Sequence, residues 1–338
     1  MLGIVVVHFN TPDLTTACVR SILREAPPAA PIVIVENGST PGNRETLAAA
    51  VTRLGERVRL IDAGGNVGFA AGCNLGIGDC LRDPAVDHVL LVNSDAELAA
   101  GGIAHLQRAI ATGPCDMLAA RVHRADQIDL VDSLGITMYA SALASNRMDA
   151  EEPLLGPTGG LAVYSRALVS ELVARDGHFF DPSFFCYAED TDVAWRALLA
   201  GYSPEYVDEC VAVHHGQASS GGGFNDFVLY HGIRNSLWLV VKGFPAGLLL
   251  RLSVRIILLH GGIVVRHGLR GKLGVLLRLY RDFLRGLPAK LRQRRRILRG
   301  RRRGTAALRR FVSDHFYERT YLRGALQEFL RLGFRTHD

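Results

Sequence analysis

The sequence predicts an α/β protein: a mainly parallel sheet flanked by helices, followed by a basic C-terminal helical region. Short β-branched runs alternate with helical stretches through the first 230 residues, the pattern that covers a parallel sheet with helices. The runs end in polar residues, Asn10, Glu36 with Asn37, and Asn93 with Asp95, and open α/β sheets gather ligands at the carboxyl ends of their strands. The charge is also divided. Residues 231–338 hold 25 Lys or Arg against 5 Asp or Glu, whereas residues 1–230 hold 14 against 28. Two regions with different partners follow, 1–230 and 231–338.

In chain order, "GIVVVHF" (3–9) is a buried strand and a helix runs from about Asp13 to Glu25. "PIVIVEN" (31–37) is the second strand, closed by a Gly-Ser-Thr-Pro-Gly turn and followed by a helix from about Arg44 to Leu54. A third strand lies near "VRLID" (58–62), a helix begins near Gly68, and "HVLLVNSD" (88–95) is a fourth strand. Residues 121–157 are a less regular connection with strand character around "GITMYA". A helix starts near Asp190, with Val193, Ala194, Ala197 and Leu198 on one face and Gly201 as its left-handed cap. From about Asp226 the pattern is helical and grows basic, ending in "KLRQRRRILRGRRRG" (290–304).

Composition bounds the function. At 338 residues and 48% hydrophobic, the chain can bury one large core or two modest ones. Six cysteines without a C-x-x-C pair suit neither a zinc knuckle nor a disulfide framework, and read as reduced, mostly buried thiols. An apolar strand enters at once with no basic region or apolar signal segment before it, so the expected location is cytoplasmic.

Four elements carry chemistry. "FFCYAEDTDVAWRALLAGY" (184–202) crowds Glu189, Asp190 and Asp192 into the first turn of a helix. There they interact favourably with the helix dipole, and Asp192 can pair with Arg196; equally, one carboxylate could take a proton from an incoming hydroxyl. "LLVNSDAEL" (90–98) ends a buried strand in Asn93, Ser94 and Asp95, which suits either a turn that caps a helix or a divalent cation held by Asp95. His214 and His215 follow the strand-like "CVAV", as structural histidines or as metal ligands. The glycines of "AGGNVGFAAGCNLGI" (63–77) let a backbone approach a diphosphate closely, yet they match neither a Walker loop nor the dinucleotide fingerprint.

In this order and at these spacings, the elements resemble glycosyltransferase family 2, inverting enzymes on the nucleotide-binding glycosyltransferase A fold, with the match closest to its rhamnosyltransferase-like bacterial members. The resemblance rests on "VVVHFNTPDLTTACVRSI", "VIVENGST", "GNVGFAAGCNLGI", "LLVNSDAEL", "TGGLAVYSRALV", "FFCYAEDTDVAWRALLAGY" and "VHHGQASS". It implies that His8, Phe9 and Asn10 line the base pocket, with Glu36 where the family usually has an Asp that bonds the pyrimidine, and Asn37 beside it among the donor contacts. It implies donor binding by Asn66, Gly68, Phe69, Gly72 and Asn74, and by Asn93 and Ser94, with Asp95 as the dependable ligand of Mg2+ or Mn2+. Thr158, Gly159 and Gly160 match the small-residue segment beside the sugar and acceptor. Asp190 matches the catalytic base, Glu189 the residue that contacts the acceptor or orients the base, His214 a ligand of the metal or diphosphate, and Ser219 a secondary donor contact.

The implied reaction moves a hexose, rhamnose by preference, from a dTDP- or UDP-sugar to a hydroxyl of a glycan or polyprenyl-linked acceptor. Phe185 and Tyr187 would offer the sugar an apolar face. Two other classes stand beside this one: a catalytically silent sugar-nucleotide binding subunit, opposed by retention of both Asp95 and Asp190, and a nucleotidyltransferase, opposed by the absence of a basic loop in "HFNTPD". In the tail, the longest uncharged run, "IILLHGGIVV" from Ile256, is too short to span a bilayer. Contact in the plane of an anionic membrane surface is expected, at the inner face of the cell membrane, beside a packed helical bundle or a homo-oligomer contact. Nucleic-acid binding ranks behind, because no aromatic platform or zinc pattern accompanies the arginines.

Overall fold

The structure is a computed structural model and describes residues 1–216 and 225–318. β1 (Leu2–His8) is buried along its whole length and leads into α1 (Pro12–Glu25). β2 (Ile32–Glu36), α2 (Pro41–Leu54), β3 (Val58–Asp62), α3 (Phe69–Cys80) and β4 (His88–Asn93) continue the strand and helix alternation. Helices α1 and α2 begin at Pro12 and Pro41, one and three residues before the sequence pattern placed them. Proline suits a first helical turn, where its missing N–H would have had no partner.

The second half starts with β5 (Ala96–Leu98), α4 (Gly102–Thr112) and β6 (Met117–Arg124). The irregular connection resolves into three short strands, β7 (Val131–Ser133), β8 (Ile136–Met138) and β9 (Ala144–Asn146). β10 (Leu161–Ser165), α5 (Arg166–Asp176), α6 (Glu189–Leu199) and β11 (Pro204–His214) complete the sheet region. Then come α7 (Asp226–Gly243), α8 (Ala246–Leu269), α9 (Leu273–Arg299) and the short α10 (Thr305–Arg309).

The main sheet runs β3-β2-β1-β4-β10-β6-β11-β5, with β7 on β6, while β8 and β9 pair separately. Its first four strands are parallel, β10 enters antiparallel to both neighbours, and β11 is parallel to β6. Register pairs His8 with Glu36, Glu36 with Asp62, and Val7 with Asn93, so the strands' carboxyl ends finish level along one edge. Alternate side chains build two cores, as the two-residue period of a strand requires: Ile4, Val6, Ile34 and Leu90 on one face, Val5, Val7, Val35 and Leu91 on the other.

The second core continues into the basic helices through Trp238, Phe244, Leu248 and Ile297. Lys242 is fully buried, with Nζ 2.7 Å from Asp181 and 3.0 Å from Asp192, and Lys290 lies 2.7 Å from the same Asp181. Arg251 and Arg255 interrupt the apolar sequence but not the helix, since arginine is a good helix former. α8 is consequently one continuous 24-residue helix, and among the described residues it is the one long and apolar enough to cross a membrane.

Candidate active site

A cleft of about 630 Å3 opens where the strands end. Phe9, Asn37, Asn66, Gly68, Phe69, Asn93, Ser94 and Asp95 line it from the strand ends and the loop before α3. Thr158, Gly159, Gly160, Glu189, Asp190 and His214 close it from the second half, and Phe185 and Tyr187 stand on its wall. The structure thus brings Asp95 and Asp190 to one space.

His8, Asn10, Glu36, Gly72 and Asn74 are not among the lining residues. Burial takes the His8 ring down to about 4 against the pull of Glu36, and its Nδ1 shares a 2.7 Å hydrogen bond with Thr15 Oγ1. Burial works to raise Glu36, but the Ser39 and Gly38 amides and the Arg44 charge outweigh it and hold the carboxyl below its usual range. Asn10 takes a left-handed conformation (φ 58°) and accepts from Thr40 N–H at 2.8 Å, tying β1 to the loop after β2. Asn74 bonds both the N–H and the carbonyl of Phe180. A Cβ on Gly72 would meet Val7 at 3.0 Å, so its absence lets α3 close onto β1. Ser219 lies outside the described residues.

The acidic segment divides by direction. Asp192 turns into the core, where Arg196 Nε meets it at 2.8 Å and Lys242 at 3.0 Å. Glu189 and Asp190 face the cleft. Asp190 Oδ2 accepts from Gly159 N–H at 2.8 Å and Oδ1 from Thr191 N–H at 2.6 Å. Burial raises its carboxyl above the ordinary value while these amides oppose the rise. Glu189 is buried, and its Oε2 has no hydrogen-bond partner among the described residues. Burial, then the charge of Asp190, pushes it well above the usual carboxylate range. Burial raises both adjacent acids, but donors oppose the rise at Asp190 whereas Glu189 Oε2 meets none among the described residues.

The loop that carries them is strained. Phe185, Tyr187 and Ala188 all have positive φ, 66°, 70° and 63°. The fully buried Asn235 of α7 donates from Nδ2 to the carbonyls of Phe184, Cys186 and Tyr187 at 2.8–2.9 Å. From the other side, Ala70 N–H at the start of α3 donates to the Phe185 carbonyl at 3.1 Å. Gly68 makes that approach feasible, since a Cβ there would lie 2.5 Å from the Phe185 ring.

Across the cleft, Asp95 Oδ1 lies 3.1 Å from His214 Nε2, and His214 Nδ1 lies 2.9 Å from Asp132 Oδ2. Burial works against a charged ring, yet the bonds to Asp132 and Asp95 raise His214 to about 10. Among the described residues no three metal-ligating side chains converge here, and Asp95 with His214, once its Nε2 proton is lost, is the pair that would hold a divalent cation. One carboxylate oxygen and one imidazole nitrogen converge, Asp132 fixes the ring through its other nitrogen as in many metal sites, and Mg2+ or Mn2+ commonly completes its shell with diphosphate oxygens and water. Asp132, Asn146 and Phe227 line the cleft without having been singled out in the sequence. Asp132 sits in the connection that had no clear pattern, and only the pairing of β7 with β6 delivers it to His214.

Residues 3–173, just over half of the chain, match the family model described as glycosyl transferase family 2. The chain belongs to glycosyltransferase family 2. Among relatives of this family 2 glycosyltransferase is the low-salt glycan biosynthesis hexosyltransferase Agl10 of Haloferax volcanii, 22% identical over 236 residues, which are 69% of this chain and 73% of that protein. The crystal structure of S. aureus TarS superposes with a TM-score of 0.51 at 15% identity, covering 71% of this chain and only 39% of TarS. The mannosyltransferase PcManGT of Pyrobaculum calidifontis, solved with GDP-Man and Mn2+, gives a TM-score of 0.53 at 15% identity over 88% of this chain and 85% of its own. These likenesses show the fold, glycosyltransferase A, and here β10 adds an antiparallel strand beside β4.

Proposed function

We propose that this enzyme transfers a hexose, with inversion, from a nucleotide-diphosphate donor to an acceptor hydroxyl. The observation that carries the reading is that Asp190 and Asp95 line one and the same cleft, together with Asn66, Gly68 and Phe69. Asp190 is the base: it removes the acceptor proton as that oxygen attacks the anomeric carbon from the face opposite the leaving group. The new C–O bond forms as the bond to the diphosphate breaks, without a covalent intermediate. Glu189, its buried carboxyl raised above the usual range, contacts the acceptor or orients Asp190. Asn37, Asn66 and the open backbone at Gly68 bind the donor. Mg2+ or Mn2+, when bound by Asp95 and by His214 after loss of its Nε2 proton, would neutralise the charge growing on the leaving diphosphate.

The donor is a dTDP- or UDP-hexose, with rhamnose preferred, and the acceptor is a glycan or a polyprenyl-linked saccharide at the inner face of the cell membrane. The hexosyltransferase Agl10 and the Mn2+ bound to PcManGT support the reaction class and the metal. A panel of nucleotide sugars, each with and without Mg2+ or Mn2+, tests the donor by thermal shift, since a ligand of the folded state raises its melting point. With the donor so found, Asp190→Asn keeps binding and loses roughly two to four powers of ten in turnover. Asp95→Ala loses the metal-dependent part of binding. Unchanged turnover in Asp190→Asn removes it as base.

A further inference from the structure

Helices α8 and α9 carry a surface that the cleft does not use. Leu250, Val254, Ile257, Leu258, Val265 and Leu269 are exposed on one stripe of α8, Leu250 to 80% and Ile257 to 70%. On α9, Leu277, Leu284 and Leu291 are exposed at seven-residue steps. Both helices pack through other residues, Leu248 and Leu252 on α8, Leu276 and Ile297 on α9. At about 1.5 Å per residue the α8 stripe runs roughly 28 Å, more contiguous aliphatic surface than a free monomer usually leaves in water.

The end of the stripe identifies what covers it. Arg294, Arg295, Arg299 and Arg301 surround Ala246 and Gly247, the first residues of α8, in a pocket of about 500 Å3. No acidic residue occupies that first turn, so the amide ends of the helix add to the positive potential. Arg295 is exposed one turn beyond Leu291 and continues the α9 stripe. Hydrocarbon-seeking surface thus runs directly into phosphate-seeking surface, the order in which a lipid leaflet presents its two parts. A second copy of the chain would bring arginine pocket against arginine pocket across a region with 25 basic and 5 acidic residues. Charge therefore selects an anionic bilayer.

The far end of the stripe meets the cleft. Lys272, in the turn between α8 and α9, pairs with Asp226 at 2.9 Å, and the next residue, Phe227, lines the cleft. We propose that the α8–α9 face seats the enzyme in the plane of an anionic bilayer, with a lipid phosphate in the arginine pocket and the Phe227 rim at the lipid surface, where a lipid-borne acceptor hydroxyl can enter. The acceptor clause rests on the transfer reaction proposed above; the docking clause does not.

Flotation of the purified full chain with phosphatidylcholine vesicles, with and without phosphatidylglycerol, tests it. The protein floats with the anionic vesicles, is lost from them in high salt, and is released by alkaline carbonate. The triple variant Arg295→Gln, Arg299→Gln, Arg301→Gln binds roughly a hundredfold more weakly, from about 1 kcal/mol per basic residue. Val254→Glu with Leu258→Glu abolishes flotation. Both variants keep the wild-type melting point and donor-dependent thermal shift. Flotation unchanged in either variant, retention through carbonate as a spanning helix would give, or a concentration-dependent dimer lost with the same substitutions in place of vesicle binding overturns the proposal. A wild type that floats but binds no nucleotide sugar defeats the reaction and leaves the surface standing.

Discussion

Asn235 gives the sharpest test of how the acidic loop is held. Its Nδ2 has two hydrogens for three carbonyls, those of Phe184, Cys186 and Tyr187. They span a stretch with three non-glycine residues at positive φ, each costing about 1–2 kcal/mol, so roughly 3–6 kcal/mol of strain must be offset locally. Asn235→Leu removes both hydrogens, and a carbonyl left buried without a partner costs about 1–3 kcal/mol. The loop can recover part of this by relaxing toward the cleft, and a net loss of about 2–4 kcal/mol follows. That same relaxation moves Ala188, to whose carbonyl Asp192 N–H donates at 3.0 Å, and with it the start of α6 that carries Asp190. A displacement of about 1 Å at a reacting group costs on the order of a hundredfold in rate. Steady-state kinetics and a donor titration should therefore show kcat lower by about two powers of ten and donor affinity within about threefold, because Asn37, Asn66 and Asp95 sit on other elements. Asn235→Asp, which sets a carboxylate oxygen against three carbonyls, should be worse than Asn235→Leu in both melting point and kcat. A kcat within twofold of wild type in variants that melt lower would falsify the positioning role and leave Asn235 a packing residue.

Gly68→Ala places a Cβ 2.5 Å from the Phe185 ring and 2.6 Å from its carbonyl at φ 85°, and should cost about 1–3 kcal/mol beyond the φ strain. Gly64→Ala, at φ 76° with open space around it, is the control, and equal losses of melting point and donor affinity in the two variants would refute the close approach. Glu189 is raised well above 4.5 by burial, so the folded chain keeps a proton that the unfolded chain releases. Its contribution to stability is complete below about pH 4.5 and is lost as pH rises toward the folded value. Glu189→Gln should then melt higher than wild type at pH 7 and lose that advantage by pH 5, with reduced transfer at both; parallel melting curves would defeat the assignment. Lys242→Met strips a fully buried charge from Asp181 and Asp192 and should cost about 3–5 kcal/mol in chemical denaturation, with a loss under 1 kcal/mol showing that Lys290 and Arg196 compensate.

Much of the cleft was legible because strand ends announce themselves. β-branched runs stopping at Asn37, Asn93 and Asp95 fix both a sheet and its functional edge, and the structure puts all three residues on the cleft. His8 and Glu36 stand in equally suggestive places, but a residue at a strand end points either into the cleft or behind it according to register and backbone angle, and no pattern in the sequence carries that choice. The connection holding Asp132 and Asn146 was illegible for another reason. Its strands are three residues long, too short to display a period, even though each pairs with a neighbour in sequence, β7 with β6 and β9 with β8. The apolar run of α8 misled through its charges: hydropathy read Arg251 and Arg255 as breaks, whereas backbone hydrogen bonding is indifferent to them.

The division of labour in the acidic cluster follows from helix geometry. At 100° per residue, Asp192 lies about 200° around the axis from Asp190, so a helix that shows one carboxylate to the cleft must send the other into the core. Asp192 there meets Arg196 and Lys242, and Lys242 belongs to α7, the helix that also carries Asn235. The first turn of α6 is consequently gripped twice by one element, through its inward carboxylate and through the loop that precedes it. The basic helices are thus part of the cleft's construction as well as its exposed flank, and a force on α8 or α9 has a packed route, through α7, to Asp190.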